Sequence, residues 1–474
     1  MQHFFTRDRQ FYRTLFAMLA VVALQNLVAY SVNMVDNMML GSYSQQALSG
    51  AATVNQIFFI IQQLTIGLGN GLVAIASQYW GRQERDPIRR LSFMTIRLTL
   101  ILGLIIVAVC SLFPAQILGI FTTDQAIIAQ GVAYMRLIKW TFLLYMITNV
   151  FMAALRSVGV VGISFYISVV SLLVNCSINY TLIFGRFGFP EMGIAGAAIG
   201  TLIARILELL IVLIYLLKKD IKLQLFAGKR TGPMGEVPGA PAAKAAPVRP
   251  AAGGVSSDKA LLSAYVKVTL PLIASYVLWA FSVPMQTAVL GHLSADAIAA
   301  NSVATTFYQY LKVVVTAMSS VSAVLIGNAI GRGDLEEVRA QGRTLSVLDI
   351  GVGLVLAGLL LLFKGPLLSV YVLSDEARRM AGNIMTIMSV IMIGMSYQMP
   401  VCAGIISGAG DTGYMMRLNL IFTWGLVIPL SCLAAFVLHW PVELVVIVAQ
   451  SDQIIKCLPV FLKFRRYGWI RKLT

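Results

Sequence analysis

Twelve long apolar stretches run through the chain, and they limit what it can fold into. A helix needs about 20 mostly apolar residues to cross the hydrocarbon layer of a membrane. Apolar residues make up 58% of the sequence and charged residues only 12%, about half the charged share of a soluble protein. Only helices and closed barrels satisfy their backbone hydrogen bonds in lipid, and no alternating barrel pattern is present, so we predict an all-α integral membrane protein. The predicted spans are residues 13–40, 51–79, 91–113, 133–155, 162–184, 193–217, 262–290, 301–328, 343–363, 380–403, 414–438 and 441–463.

The net charge of +16 is spread over alternate loops rather than gathered in one domain. This distribution argues against a nucleic-acid partner. It indicates the membrane topology instead, because positively charged loops stay in the cytoplasm. We therefore expect a multi-pass protein of a prokaryotic inner membrane with both termini cytoplasmic. The basic loops and ends contain Arg7, Arg9, Arg13, Arg82, Arg85, Arg89, Arg90, Arg156, Lys218, Lys219, Lys222, Lys229, Arg230, Arg332, Arg339, Arg417, Lys463, Arg465, Arg466, Arg471 and Lys472.

The second half of the chain repeats the first. Gly81-Arg82 and Gly331-Arg332 are 250 positions apart, as are Leu40-Gly41 and Leu290-Gly291. Later in the two halves, Gly159 matches Gly410, which lies 251 positions further on. Six spans per half give both halves the same membrane orientation, which is typical of a parallel repeat around a central transport pathway. We predict two pseudo-symmetric six-helix bundles.

The repeat and the composition together predict three regions. Residues 1–217 form an amino-terminal six-helix lobe, and residues 262–474 form a carboxy-terminal six-helix lobe with a basic cytoplasmic tail. Between them, residues 218–261 form a cytoplasmic linker, which is partly flexible because it is rich in Gly, Pro and Ala.

Asp36 is the acid of a predicted span that has no Lys or Arg within two turns of it. An ionisable group inside a span is costly and is a functional candidate by default. A polar stripe on the same helix and another on span 5 supply oxygen atoms that could hold a small cation or support a proton carrier. A hydrogen-bonded packing cluster is the alternative. The stripes are Asn26, Tyr30, Asn33 and Asn37, and Ser168, Ser171, Asn175 and Asn179.

Three other acids inside spans have a basic residue nearby on the same helix. Asp452 lies four positions before Lys456, and Glu208 three positions after Arg205. Asp349 lies near the cytoplasmic end of its span, where Arg343 stands. We interpret all three as local ion pairs or as side chains that reach the membrane surface.

Lys312 is a cation near the middle of predicted span 8, opposite Gln62 in the first half. It could pair with a carboxylate, bind an anionic group or extend towards the interface, and the sequence leaves these alternatives open. Aromatic and polar side chains in the spans could line a substrate cavity and offer cation–π contacts. Besides Lys312, the candidate cavity residues are Gln25, Tyr30, Asn33, Gln62, Tyr276, Trp279 and Tyr308.

Several motifs resemble the multidrug and toxic compound extrusion (MATE) transporters nearly end to end. The first half carries Val35-Asp36 before Leu40-Gly41, and the second half carries Ser407-Gly408-Ala409-Gly410-Asp411-Thr412. Between them lie Ala154-Leu155-Arg156-Ser157-Val158-Gly159, Leu182-Ile183-Phe184-Gly185-Arg186-Phe187-Gly188-Phe189-Pro190 and Gly193-Ile194-Ala195-Gly196-Ala197-Ala198-Ile199-Gly200-Thr201.

The resemblance implies a twelve-helix, V-shaped protein around a central cavity, which exports amphipathic, often cationic compounds in exchange for H⁺ or Na⁺. Asp36, Asn175, Asn179 and Thr201 would form its cation-coupling site. Span 7 contains no acid, unlike some relatives, so coupling through a carboxylate would rest mainly on Asp36. We expect no cofactor, no metal beyond a Na⁺ at Asp36, a lipid bilayer and small-molecule substrates as partners, and a monomer.

Two other classes of function compete with an exporter. A flippase for lipid-linked precursors would have a related fold, but a cavity with several buried Arg or Lys side chains for pyrophosphate, and only Lys312 qualifies. A membrane enzyme would need a catalytic constellation, and the sequence has no HExxH, P-loop or GxSxG motif. We therefore predict a transporter and not an enzyme.

Overall fold

The computed structural model describes residues 5–226, 257–291, 295–369, 371 and 374–473. Within these ranges the chain is helical and has no strand, and twelve helices are long and apolar enough to cross a membrane. The all-α prediction and the twelve spans are therefore confirmed. Residues 227–256 of the predicted linker lie outside the described residues. Spans 1 to 12 are Arg9–Tyr43, Gln45–Gly81, Arg85–Leu112, Gln125–Ser157, Gly162–Ile183, Gly193–Lys218, Asp258–Gly291, Ala295–Arg332, Leu335–Ser369, Asp375–Ile406, Thr412–Val437 and Val442–Arg465.

Short polar side chains start three of these helices. Ser44 accepts a hydrogen bond from the backbone N–H of Ala47 at the start of span 2, and Asp124 accepts one from Ala126 at the start of span 4. Ser374 does the same before span 10. Such caps satisfy backbone donors that have no partner within the helix. They place these helix starts outside the apolar runs.

The repeat is visible in the backbone as well as in the sequence. Gly159 follows span 4 with φ of +75°, and Gly410 follows span 10 with φ of +101°. In both turns the glycine N–H donates to the carbonyl three residues earlier, and the next N–H donates to the carbonyl five residues earlier. Glycine reaches positive φ without steric cost. The same chain reversal therefore ends the fourth span of each half.

Spans 10 and 11 depart from regular α-helix in a way that the sequence does not predict. Span 10 ends in a π-helical segment, Pro400–Ile406, and span 11 contains two more, Asn419–Val427 and Leu433–Val437. Segments of π-helix are rare and often occur at functional sites. Span 12 is also interrupted, after Gln450 and after Ile455.

The chain forms two compact units. One consists of Ala20–Val266, where span 2 packs against span 4 and span 3 against span 4. The other consists of Met1–Leu19 and Lys267–Thr474, where span 8 packs against span 10 and span 9 against span 10. The same partners thus meet in each half. The lobe boundaries at residues 217 and 262 stay a prediction.

Candidate cation-coupling site

Asp36 is the first member of a chain of hydrogen bonds that joins spans 1, 5 and 6. Asn179 donates from its amide nitrogen to Asp36 Oδ1 at 2.7 Å and to Asn175 Oδ1 at 3.2 Å. Asn175 in turn donates to Thr201 Oγ1 at 3.2 Å. The structure therefore brings together all four residues of the predicted coupling site, which lie far apart in the sequence.

The residues of this site are wholly or partly shielded from solvent, which makes an unsatisfied polar atom there costly. Asn175 and Asn179 are buried, Asp36 and Thr201 are half-buried, and the Asn179 Oδ1 atom has no hydrogen-bond partner among the described residues. A buried oxygen without a donor costs about 1–3 kcal/mol. This acceptor, next to the Asp36 carboxylate, is the kind of atom that a cation or a bound proton would satisfy.

Tyr134 of span 4 is a neighbour of this site that sequence reasoning missed. It is buried, lies beside the Thr201 side chain and is close enough for the charge of Asp36 to act on it. Tyrosines are frequent in the spans of this chain, so nothing in the sequence singles this one out. Its position adds a fourth span to the site.

Two glycines on span 6 allow span 5 to approach closely. A Cβ atom at Gly200 would overlap Asn179 Oδ1, and one at Gly196 would lie 2.7 Å from the Leu182 carbonyl carbon. Small residues let helices come close in membranes. At Gly200 this closeness also gives Asn179 the room to reach Asp36, so one residue serves both packing and the site.

Asp36 forms no ion pair with any Lys, Arg or His in the part of the chain that the structure describes. Arg205 is the cation whose charge acts on it, and that guanidinium already donates from one nitrogen to both carboxylate oxygens of Glu208, at 2.8 and 3.0 Å. Arg205 also lies 5.1 Å above the Tyr145 ring. The predicted Arg205–Glu208 pair is confirmed, and it leaves Asp36 without a basic partner.

The oxygen ligands of Asp36, Asn175, Asn179 and Thr201 fit a hard monovalent cation or a proton. They comprise one carboxylate, two amides and one hydroxyl, which are the oxygen ligands that such ions prefer. Across the described residues no group of three or more His, Cys, Asp or Glu side chains could hold a metal. Because the site has one carboxylate, it can bind or release one positive charge at a time.

The polar stripe on span 1 contributes less to Asp36 than predicted. Asn33 and Asn37 are exposed, and Tyr30 is 44% exposed. None of these three donates a hydrogen bond to Asp36 within the described ranges; Asn179 of span 5 does. Gln25, another predicted cavity residue, contacts the Met152 sulfur at 3.8 Å, and Gln62 is half-buried.

A second buried polar cluster lies in the other unit, on spans 11 and 12. Lys456 forms an ion pair with Asp452 at 2.9 Å, as predicted, and both side chains are at most 5% exposed. Lys456 also donates to Asn419 and Thr423, which both belong to the first π-helical segment of span 11. The sequence shows the pair but not its two further acceptors, because an irregular helix breaks the spacing rules.

Lys312 of span 8 has a different environment. Its ammonium nitrogen lies 4.4 Å from the centre of the Trp279 ring. Tyr308, one turn earlier on the same helix, is buried and its hydroxyl contacts the Met395 sulfur at 2.8 Å. Tyr276, the remaining predicted cavity residue, is also buried. The structure thus joins Trp279 and Lys312 but not the whole predicted set.

Asp349 corrects a sequence-based interpretation. It is 1% exposed and neither carboxylate oxygen has a hydrogen-bond partner among the described residues. The prediction that it pairs with Arg343 or reaches the membrane surface is therefore wrong. Span 9 carries this residue and packs against span 10 in the same unit, and the Asp349 side chain is buried there.

A family model identifies the chain. The model of the family MatE matches residues 22–181 and 271–463. These two segments cover more than half of the chain, one in each half of the repeat.

Two relatives of the chain are named as probable multidrug resistance proteins. "Probable multidrug resistance protein YoeA" of Bacillus subtilis is 22% identical over 89% of this chain and 86% of its own length. "Probable multidrug resistance protein NorM" of Rhizobium meliloti is 25% identical over 88% of this chain and 84% of its own length.

Solved structures show the same fold. The Vibrio cholerae MATE transporter VcmN in its bent form matches with a TM-score of 0.80 at 18% identity, over 96% of both chains. An outward-facing multidrug resistance MATE family transporter matches with a TM-score of 0.81 at 16% identity, over 96% of this chain and 95% of that one.

Proposed function

The chain belongs to the MatE family of transporters, and from this premise we propose that it exports amphipathic, often cationic compounds in exchange for H⁺ or Na⁺. The homologues named as multidrug resistance proteins support the drug class. The observation that carries the coupling proposal is the Asp36 carboxylate, which is bonded to Asn179 and free of any ion pair in the described chain.

Binding of an ion at Asp36 changes the charge of the site. A charged carboxylate accepts a strong hydrogen bond from the Asn179 amide, and protonation makes this bond roughly half as strong. Na⁺ instead keeps the carboxylate charged and recruits the unused Asn179 Oδ1 atom. Either event alters the contacts that tie span 1 to spans 5 and 6.

Coupling follows if the ion and the substrate favour different conformations. A ligand shifts a conformational equilibrium only by its difference in affinity for the two states. An ion that binds Asp36 from outside would weaken substrate binding, and substrate from the cytoplasm would weaken ion binding by the same factor. Each downhill ion then drives the release of substrate outward.

Asp36→Asn tests this role, because the amide has the shape of the carboxylate but carries no negative charge. It can therefore neither take up a proton nor bind Na⁺ by charge attraction. In proteoliposomes with a pH gradient or a Na⁺ gradient imposed separately, we expect efflux of a fluorescent cationic dye to fall to the level of protein-free liposomes. The gradient that drives the wild type identifies the ion.

Asp349→Asn is the matched control, since it also neutralises a carboxyl group inside a span. We expect it to keep gradient-driven efflux. Wild-type efflux rates in Asp36→Asn would contradict the coupling role, and equal loss in both variants would point to general damage from removing an acid inside a span.

The flippase alternative gains no support from the buried bases. Arg205 and Lys456 are engaged by Glu208 and Asp452. A pyrophosphate carries several negative charges and requires several available cations. Lys312 is one cation and does not supply the several cations that a pyrophosphate requires.

A further inference from the structure

Lys312 lies too deep in the membrane for its side chain to reach either surface. It is about 25 Å from the first residue of the span 8 helix and about 30 Å from the last, at about 1.5 Å per residue. A Lys at this depth is costly unless it faces a partner or a polar volume. Reaching the membrane surface, one of its sequence-based interpretations, is thereby excluded.

The acid whose charge acts on Lys312 already has other hydrogen-bond partners. Asp452 attracts Lys312, but one of its oxygens receives Lys456 at 2.9 Å and Thr423 at 3.2 Å, and the other receives Gln453 at 2.9 Å. Lys312 itself has no hydrogen bond or ion pair within the part of the chain that the structure describes. Within those residues no acid is paired with its positive charge.

Trp279 positions this charge without cancelling it. The ammonium group lies 4.4 Å from the ring centre, which is a favourable cation–π distance. An aromatic face stabilises a cation but supplies no negative charge and no hydrogen-bond acceptor in its plane. The Lys312 hydrogens therefore remain available, beside a flat apolar surface.

We propose that Lys312 and Trp279 form a substrate subsite that binds a carboxylate on an aromatic compound. The carboxylate would accept charge-assisted hydrogen bonds from Lys312, and its aromatic scaffold would lie against Trp279. This inference rests on the proposed export function and deepens it, because it names the substrate group that Lys312 and Trp279 recognise. One free ammonium matches one carboxylate, since Lys456 is held by its own acid.

A pair of probes that differ in one charge tests the subsite. Norfloxacin carries a carboxylate, and its methyl ester does not. Binding of each to the purified wild type, Lys312→Gln and Lys312→Arg is measured by fluorescence in nanodiscs of phosphatidylcholine, and efflux of each is measured in proteoliposomes of the same lipid.

We expect the wild type to bind the acid about tenfold more tightly than the ester, which is the usual size of one charge-assisted hydrogen bond. Lys312→Gln removes this preference by weakening the acid alone, and Lys312→Arg keeps it. Equal affinity for acid and ester in the wild type overturns the proposal, and so does equal weakening of both probes in Lys312→Gln. If Lys312→Gln fails to fold, the wild type and Lys312→Arg decide.

The two proposals fail separately. Binding that prefers the acid, without efflux of either probe, supports the subsite and contradicts the export function. Efflux of both probes without any preference contradicts the subsite alone. Loss of the preference when phosphatidylglycerol is added assigns the ammonium to an anionic lipid headgroup and overturns the substrate role.

Discussion

Asp349 and Asp452 are buried acids in one unit with opposite surroundings. Asp452 is held by Lys456, Thr423 and Gln453, whereas Asp349 has no hydrogen-bond partner among the described residues. A buried polar group without a partner costs about 1–3 kcal/mol, and its replacement by an apolar group of similar size is neutral or stabilising. Removing one member of a buried ion pair costs about 3–5 kcal/mol.

These surroundings predict opposite effects on stability. We expect Asp349→Leu to unfold at the same temperature as the wild type or higher, and Asp452→Leu to unfold at a clearly lower one because it leaves the buried Lys456 ammonium without a counter-charge. Thermal unfolding of the purified proteins in one detergent, followed by tryptophan fluorescence, measures both. Equal destabilisation would show that Asp349 contributes an interaction that its static contacts do not reveal.

At this scale the sequence predicts residue types better than their partners. Asp36, Asn175, Asn179 and Thr201 are hydrogen-bonded as a group, although their role in coupling stays a prediction. The spacing rules for one helix predicted the pair of Glu208 with Arg205 and the pair of Asp452 with Lys456. They failed for Asp349, because the direction in which a side chain faces depends on how helices pack, which one helix does not encode.

Span 6 shows how a single element supports the site. Gly200 faces Asn179 so closely that an added methyl group would overlap its amide oxygen. The span must therefore stay small at this position for Asn179 to contact Asp36. Gly119, which lies in a short helix before span 4, has open space around it instead.

Gly200→Ala should impair coupling more than folding. We expect a marked loss of gradient-driven dye efflux, because the methyl group displaces Asn179 from Asp36, while the protein remains monodisperse on size-exclusion chromatography. Gly119→Ala, the control, should leave efflux unchanged. Normal efflux in Gly200→Ala would mean that the contact of Asn179 with Asp36 is dispensable.

The regular spans were predictable, but the π-helical segments of spans 10 and 11 were not. Length and apolar content determine where a span lies. A π-helical turn depends on contacts with neighbouring helices, such as the bonds from Lys456 to Asn419 and Thr423. Such contacts between spans become visible only in three dimensions.

At the scale of the whole molecule, charge and the even number of spans predict the topology. The excess of Lys and Arg in alternate loops predicts that both termini lie in the cytoplasm. The loop between spans 5 and 6, around residues 184–192, then faces the opposite side.

Reporter fusions test this topology. Green fluorescent protein fluoresces only in the cytoplasm, so we expect fluorescence when it follows residue 474. Alkaline phosphatase is active only outside the cytoplasm, so we expect activity when it is inserted at Phe189 and none when it follows residue 474. The reverse pattern would contradict the assignment of both termini.

The last span of each half carries one opposite-charge pair within a single turn: Arg205–Glu208 in span 6 and Asp452–Lys456 in span 12. Partners three or four residues apart meet as soon as their own helix forms. Each pair can therefore leave the translocon already neutralised, before any neighbouring helix is present to compensate it. For these two pairs, biogenesis then avoids the cost of moving an isolated charge into lipid, whereas Asp36 and Lys312 form no ion pair within the described residues and must wait for their surroundings to assemble.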